Sequence, residues 1–182
     1  GSILCCSDHS EIISELPDAD AVVIGDFNAQ MLTAGKNLQL IHACSGGINS
    51  MLFPELVASD VPMVCLKPVF GTVGAEHAIA AMLRFTRKFD HPPAAVPMTQ
   101  WDGGYDDVAQ PFDLEGCTVG IVGMGTMGSA VAQRARAMGM RVFGLTRTPR
   151  QDDVSDGLYT ADQQAIFLGA CDFVVIAVPV TP

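Results

Sequence analysis

The chain has 182 residues, 49% of them hydrophobic and 16% charged, with a formal charge of −10. That composition suits a packed α/β protein rather than a disordered one, and its acidity excludes the electrostatic footprint of a nucleic-acid binder. The purely apolar run Phe173 to Val178, which no other exceeds in length, is far too short to span a bilayer, and no basic-flanked signal opens the chain; no membrane partner is expected, and the cytoplasm is the expected compartment.

In chain order, Gly1-Ser2 reads as a cloning scar, and Ile3–Cys6 is a very short apolar stretch. Three apolar runs follow, Ala21–Ile24, Leu38–His42 and Pro62–Leu66, each closed by Gly, Asn, Ser or Pro signals. Between them, 28–35 and 49–59 are predicted as short helices, with Asn49 or Ser50 capping the second. The alternating order implies a parallel sheet.

Thr72 to Phe89 is predicted as a long helix. Val73, Ile79, Met82, Leu83 and Phe85 recur near helical spacing, and Arg84, Arg87 and Lys88 load the C-terminal end as the helix dipole prefers. His91-Pro92-Pro93 is expected to stop it, and residues 91–112 read as a connector. The pattern then restarts: strand Cys117–Val122, helix Thr126–Met138, strand Arg141–Leu145, helix Ala161–Leu168, strand Phe173–Val178. That is βαβαβ, the mononucleotide-binding half of a Rossmann-type doubly wound parallel sheet.

The six cysteines (5, 6, 44, 65, 117 and 171) form no CxxC pair and no Cys/His cluster, so no metal is expected. Those at 44, 65, 117 and 171 lie in or beside apolar runs, which predicts buried thiols in a reducing compartment.

The chemistry concentrates in Gly123-Met124-Gly125-Thr126-Met127-Gly128. A GxGxxG alone is weak evidence, but here a strand ends at Gly123 and a helix opens within the motif, as a dinucleotide cradle requires. Gly123 permits the tight turn, Gly125 the approach of a pyrophosphate, and Gly128 the packing of helix on strand. Free N–H groups near Thr126 and Met127 would face the phosphates, helped by the helix dipole. The competing reading is a strand-to-helix turn that uses glycine for geometry alone. An NAD-preferring fold places Asp or Glu at the end of the next strand, about 20 residues on. Thr146 holds that place without a carboxylate, and Arg147, Thr148 and Arg150 follow. A missing acid beside two cations favours NADP over NAD, unless those arginines merely face solvent.

Several segments converge on one family: residues 38–49 (LQLIHACSGGIN), Ala75-Glu76-His77-Ala78, Trp101, Leu114-Glu115-Gly116, residues 137–142 (AMGMRV) and the closing residues 177–182 (AVPVTP). Together the sequence resembles the D-isomer-specific 2-hydroxyacid dehydrogenases, the group with glyoxylate/hydroxypyruvate reductases and phosphoglycerate dehydrogenase. The resemblance implies a flavodoxin-like substrate domain, begun by residues 1–68, and a Rossmann coenzyme domain, begun by residues 69–182. It further implies an enzyme that moves a hydride between NAD(P)H and a small 2-keto or 2-hydroxy acid, usually as a homodimer. Matched residue by residue, Ser45, Gly46, Gly47 and Ile48 fall where relatives offer backbone N–H groups to the substrate carboxylate. Thr72 falls near the nicotinamide, and Val178, Pro179 and Thr181 near the adenosine half. Glu76 and His77 match a family signature and are read as helix-anchoring residues.

The same resemblance sets departures. The family's catalytic set is an Arg clamp and a Glu-supported His general acid, groups the chemistry itself demands. None of His9, His42, His77 or His91 matches it, so no catalytic residue is expected within this chain, which reads as a fragment. The first strand of the substrate domain is reduced to Ile3–Cys6. A non-catalytic, nucleotide-sensing corepressor-like module is the alternative. An adenosylhomocysteinase-like hydrolase would share the glycine loop but explains neither Ser45-Gly46-Gly47 nor Leu114-Glu115-Gly116.

Overall fold

The computed structural model describes residues 1–90, 110–148 and 154–179, which divide into two compact units, Gly1–Val69 together with Pro179, and Phe70–Val178. The expected connector lies outside the described residues except for 110–112, as do His91-Pro92-Pro93, Trp101, Arg150 and Thr181.

The first unit opens with helix α1 (His9–Glu15), capped by Asp8, whose carboxylate accepts from the N–H groups of Ser10 at 2.8 Å and Glu11 at 3.0 Å. The sequence reading placed a residual strand at Ile3–Cys6; none forms there, and Ile3 is almost wholly exposed. Strands β1 (Ala21–Ile24), β2 (Leu40–Ala43) and β3 (Met63–Cys65) make a parallel sheet in that order. Helix α2 (Ala29–Ala34) begins and ends where expected, with the Asn28 side chain accepting from Met31 N at 3.1 Å and Gly35 closing it. Leu16, Phe27, Met31, Ile41 and Met51 form the centre of the core.

The single helix expected over 49–59 is corrected. It is a 3-10 turn, Asn49–Met51, followed by a one-turn helix α3 (Pro54–Val57). Neither Asn49 nor Ser50 caps it. Pro54 disfavours helical backbone in the residue before it, and Phe53 is accordingly extended, with φ −91° and ψ 158°.

The second unit carries helix α4 (Gly71–Thr86) and strands β4 (Thr118–Val122), β5 (Arg141–Leu145), β6 (Gly157–Tyr159) and β7 (Phe173–Ile176). The order β6-β5-β4-β7, parallel throughout, is that of a Rossmann sheet, 3-2-1-4. Strand β4 is buried over its first four residues, as expected of a central strand covered on both faces. Helix α5 (Thr126–Ala137) packs Gly128, Val131, Ala132 and Ala135 inward at i, i+3, i+4 and i+7. Between β6 and β7, a 3-10 turn (Ala161–Gln163) leads into α6 (Gln164–Gly169), where one helix was expected.

Helix α4 stops three residues short of expectation. Lys88 adopts a left-handed φ of 56°, and Phe89 N turns back to Arg84 O at 3.1 Å. Its buried face is Gly71, Ala75, Met82 and Thr86, whereas Val73 and Phe85 are 65% and 59% exposed. Met82 is buried and Ile79 and Leu83 pack against the same core, so three of the five apolar residues do face inward, and small residues complete that face where the helix lies close to its neighbour.

The cysteine expectation also fails. Cys44 is exposed, one step past the end of β2, and Cys65, Cys117 and Cys171 are only partly buried. Burial, then the Asp172 carboxylate, still pushes the thiols of Cys117 and Cys171 up. Among the described residues, no helix is long and apolar enough to cross a membrane.

Candidate functional site

A candidate site lies at the C-terminal ends of β4, β5 and β7. Gly123 leaves β4 with φ +93°, a backbone that L side chains rarely adopt. Its N–H donates to Leu145 O at 2.9 Å, and Ala177 N donates to Val122 O at 2.8 Å, so the three strand ends are tied together. At Gly128 an added Cβ would stand 2.0 Å from the carbonyl oxygen of Gly123. Only glycine lets α5 start so close beneath the turn. Gly125, by contrast, has nothing within 4 Å of where its Cβ would be.

Gly125 is also the N-cap of α5 and supplies no capping side chain. The first-turn N–H groups of a helix have no intrahelical acceptor, and here no cap side chain takes one up. Open space at Gly125 beside such donors is an anion-binding arrangement, favoured further by the dipole of a twelve-residue helix.

Together these strand ends border a cleft of about 590 Å³ lined by Val122, Gly123, Met124, Gly125, Leu145, Thr146, Arg147, Thr148, Ala161 and Val178. Thr146 closes β5 with its N–H bonded to Tyr159 O at 2.9 Å, yet its buried Oγ1 has no partner among the described residues. A buried hydroxyl left without a partner is costly unless a ligand completes it. Among the described residues, Arg147 is the one charged group lining the cleft, a cation in a chain of net charge −10. Among the described residues, none that lines the cleft is His, Asp or Glu. The described wall therefore suits binding of an anionic, hydroxyl-bearing ligand.

Of the residues singled out from the sequence, Gly123, Gly125, Thr146, Arg147, Thr148 and Val178 line this one cleft, and Thr126, Met127 and Gly128 open the helix beside it. Thr72 stands exposed in the first turn of α4, and Pro179 is exposed just after Val178. Arg150 and Thr181 lie outside the described residues. Ser45, Gly46, Gly47 and Ile48 belong to the first unit, in the turn after β2, where Ser45 Oγ donates to Gly47 O at 2.7 Å and Leu66 N to Ser45 O at 3.0 Å. Glu76 pairs with Arg134 of α5 at 3.5 Å, an exposed contact between helices. The sequence reading missed Met124, Leu145 and Ala161 as lining residues. Met124 sits between the first two glycines and could have been found; Ala161 follows a strand that carries no readable pattern.

The family described as D-isomer specific 2-hydroxyacid dehydrogenase, NAD binding domain, matches residues 79–182. Glyoxylate/hydroxypyruvate reductase A of Serratia proteamaculans (strain 568) is 27% identical over 159 residues, 84% of this chain and 49% of that protein. A D-3-phosphoglycerate dehydrogenase of Archaeoglobus fulgidus is 28% identical, over 95% of this chain and 33% of its own length. Among solved structures, an NADPH-dependent glyoxylate/hydroxypyruvate reductase from Sinorhizobium meliloti, in complex with NADP and sulfate, superposes with a TM-score of 0.73 at 28% identity, covering 90% of this chain and 50% of that one. The chain thus spans half the length or less of these relatives.

Proposed function

The chain belongs to the D-isomer specific 2-hydroxyacid dehydrogenases, and from that premise we propose that its cleft holds the adenosine and pyrophosphate portion of a nicotinamide dinucleotide, NADP in preference to NAD. In the whole protein this serves hydride transfer with a small 2-keto or 2-hydroxy acid of the glyoxylate or hydroxypyruvate kind. The observation that carries the reading is the pairing of an open Gly125 at an uncapped helix start with the unpartnered Thr146 hydroxyl in one cleft.

The residues fit such a group. Gly125 leaves room for the pyrophosphate, and the N–H groups of Thr126 and Met127 supply donors. Thr146 Oγ1 bonds a ribose hydroxyl, and Arg147 and Thr148 meet the 2′-phosphate, with Arg150 as a further cation. Apolar Leu145, Val178 and Pro179 flank the adenosine half, and Thr181 belongs to the same edge. Thr72 serves the nicotinamide side. The dinucleotide itself, when bound, supplies the hydride. The turn Ser45-Gly46-Gly47-Ile48 receives the substrate carboxylate, within a substrate domain of residues 1–68, and residues 69–182 belong to the coenzyme domain. Hydride transfer by the whole protein would further require a cation to polarise the substrate and a proton donor for the forming alkoxide. Exposed Val73, Phe85 and Phe89 favour a homodimer, and six free cysteines suit a reducing cytoplasm.

A cleft lined without His, Asp or Glu also favours a second reading, a nucleotide-sensing module of the same fold. Reduction of glyoxylate or hydroxypyruvate by the whole protein decides for the enzyme, and its absence for the sensor. Cofactor choice is tested by Arg147→Asp. Loss of a charge-assisted bond to phosphate should weaken NADPH about tenfold to a hundredfold, with NADH little changed. Equal or tighter binding of NADH than NADPH by the unsubstituted chain would overturn the NADP preference.

A further inference from the structure

Helix α4 contributes nothing to the lining of the cleft, but it holds the helix that does. Two of its glycines, one turn apart, meet the first two residues of α5. A Cβ at Gly71 would stand 3.1 Å from Thr126 Cγ2 and 3.4 Å from Thr126 O, and one at Gly74 would stand 2.8, 2.9 and 3.2 Å from Cε, Sδ and Cγ of Met127. Gly71 and Ala75 are buried on this face, and the Glu76–Arg134 pair joins the same two helices further along. Glycine inside a helix is disfavoured relative to alanine, so Gly74 needs a packing reason. The Met127 thioether laid across it supplies one.

We propose that Gly71 and Gly74 are positioning residues for dinucleotide binding. By letting α4 lie directly against the first turn of α5, they fix the aim of the Thr126 and Met127 N–H groups. They also fix the distance from those groups to Thr72, which α4 carries between the two glycines. This rests on the dinucleotide reading and adds that affinity is set partly from outside the cleft. A side chain at position 74 meets Met127 Cε and Sδ first and then its Cγ, near the backbone, at 3.2 Å, and one at position 71 crowds Thr126 Cγ2, two bonds from its Cα. Either displacement passes into the donors at the glycine loop.

The test titrates NADPH into the full chain and three variants, with circular dichroism and melting to establish the fold. In folded Gly74→Val the NADPH Kd should rise about tenfold, since small misplacements of binding groups carry costs of this order. Adding Met127→Ala removes the obstructing side chain but keeps the N–H, and should bring Kd back to within about threefold of the unsubstituted value. Should Gly74→Val not fold, Gly71→Ala, whose Cβ meets a gentler contact, should still raise Kd by about threefold. A folded variant with unchanged Kd, or a raised Kd that Met127→Ala does not restore, overturns the proposal. An unsubstituted chain that binds neither NADPH nor NADH overturns the dinucleotide reading itself, and this inference with it.

Discussion

Gly125 and Gly128 stand three positions apart, and an added methyl group would meet opposite surroundings. At Gly128 it would be driven into a backbone carbonyl 2.0 Å away, while at Gly125 it would enter empty cleft. Gly128→Ala should therefore destabilise the fold by about 1–3 kcal/mol or more as an overpacking defect, read as a fall in Tm. Gly125→Val should leave Tm close to its starting value and cost most of the dinucleotide affinity, read by calorimetric titration. Equal effects of the two on Tm would show that the loop serves geometry alone. At this scale the glycines were legible, because their roles follow from spacing and a preceding strand. The unpartnered state of Thr146 Oγ1 was not, since sequence reveals a hydroxyl but not what it faces. The cysteines misled: proximity to an apolar run does not say which way a side chain such as that of Cys44 points.

Among the elements, β1, α2, β4, α5 and β5 were readable from local signals that tertiary contacts reinforce. Helix α2 is an instance: Asn28 at one end and Gly35 at the other bracket it. Asn28→Ala removes the side-chain acceptor of Met31 N and should cost about 1 kcal/mol of stability in denaturant unfolding, with dinucleotide affinity unchanged. A wild-type midpoint would show that the cap contributes nothing there. Elements failed where a non-periodic cause ruled. Pro54 divides 49–59, Lys88 ends α4 by turning left-handed, and β6 is three residues (Gly-Leu-Tyr) placed by Asp156. That residue accepts from Val142 N at 2.7 Å and from Arg136 Nη1 at 2.9 Å, a cross-chain arrangement invisible to pattern reading. On α4, Ile79, Met82 and Leu83 do meet the core, while the close contact with α5 falls on Gly71 and Gly74, residues that hydrophobic periodicity does not weigh.

At the scale of the whole molecule, the chain forms two α/β units, each with a parallel sheet, and the cleft belongs wholly to the second. Net acidity with a cation at the cleft and a helix N-terminus beside it concentrates anion affinity at one place. The central claim is that residues 123–128 and 145–148 together receive the dinucleotide. Hydrogen–deuterium exchange of the full chain, with and without saturating NADPH, tests it most directly. The expected result is slowed exchange in peptides covering 123–129 and 145–148. Unchanged exchange throughout, or protection confined to other segments, would contradict it.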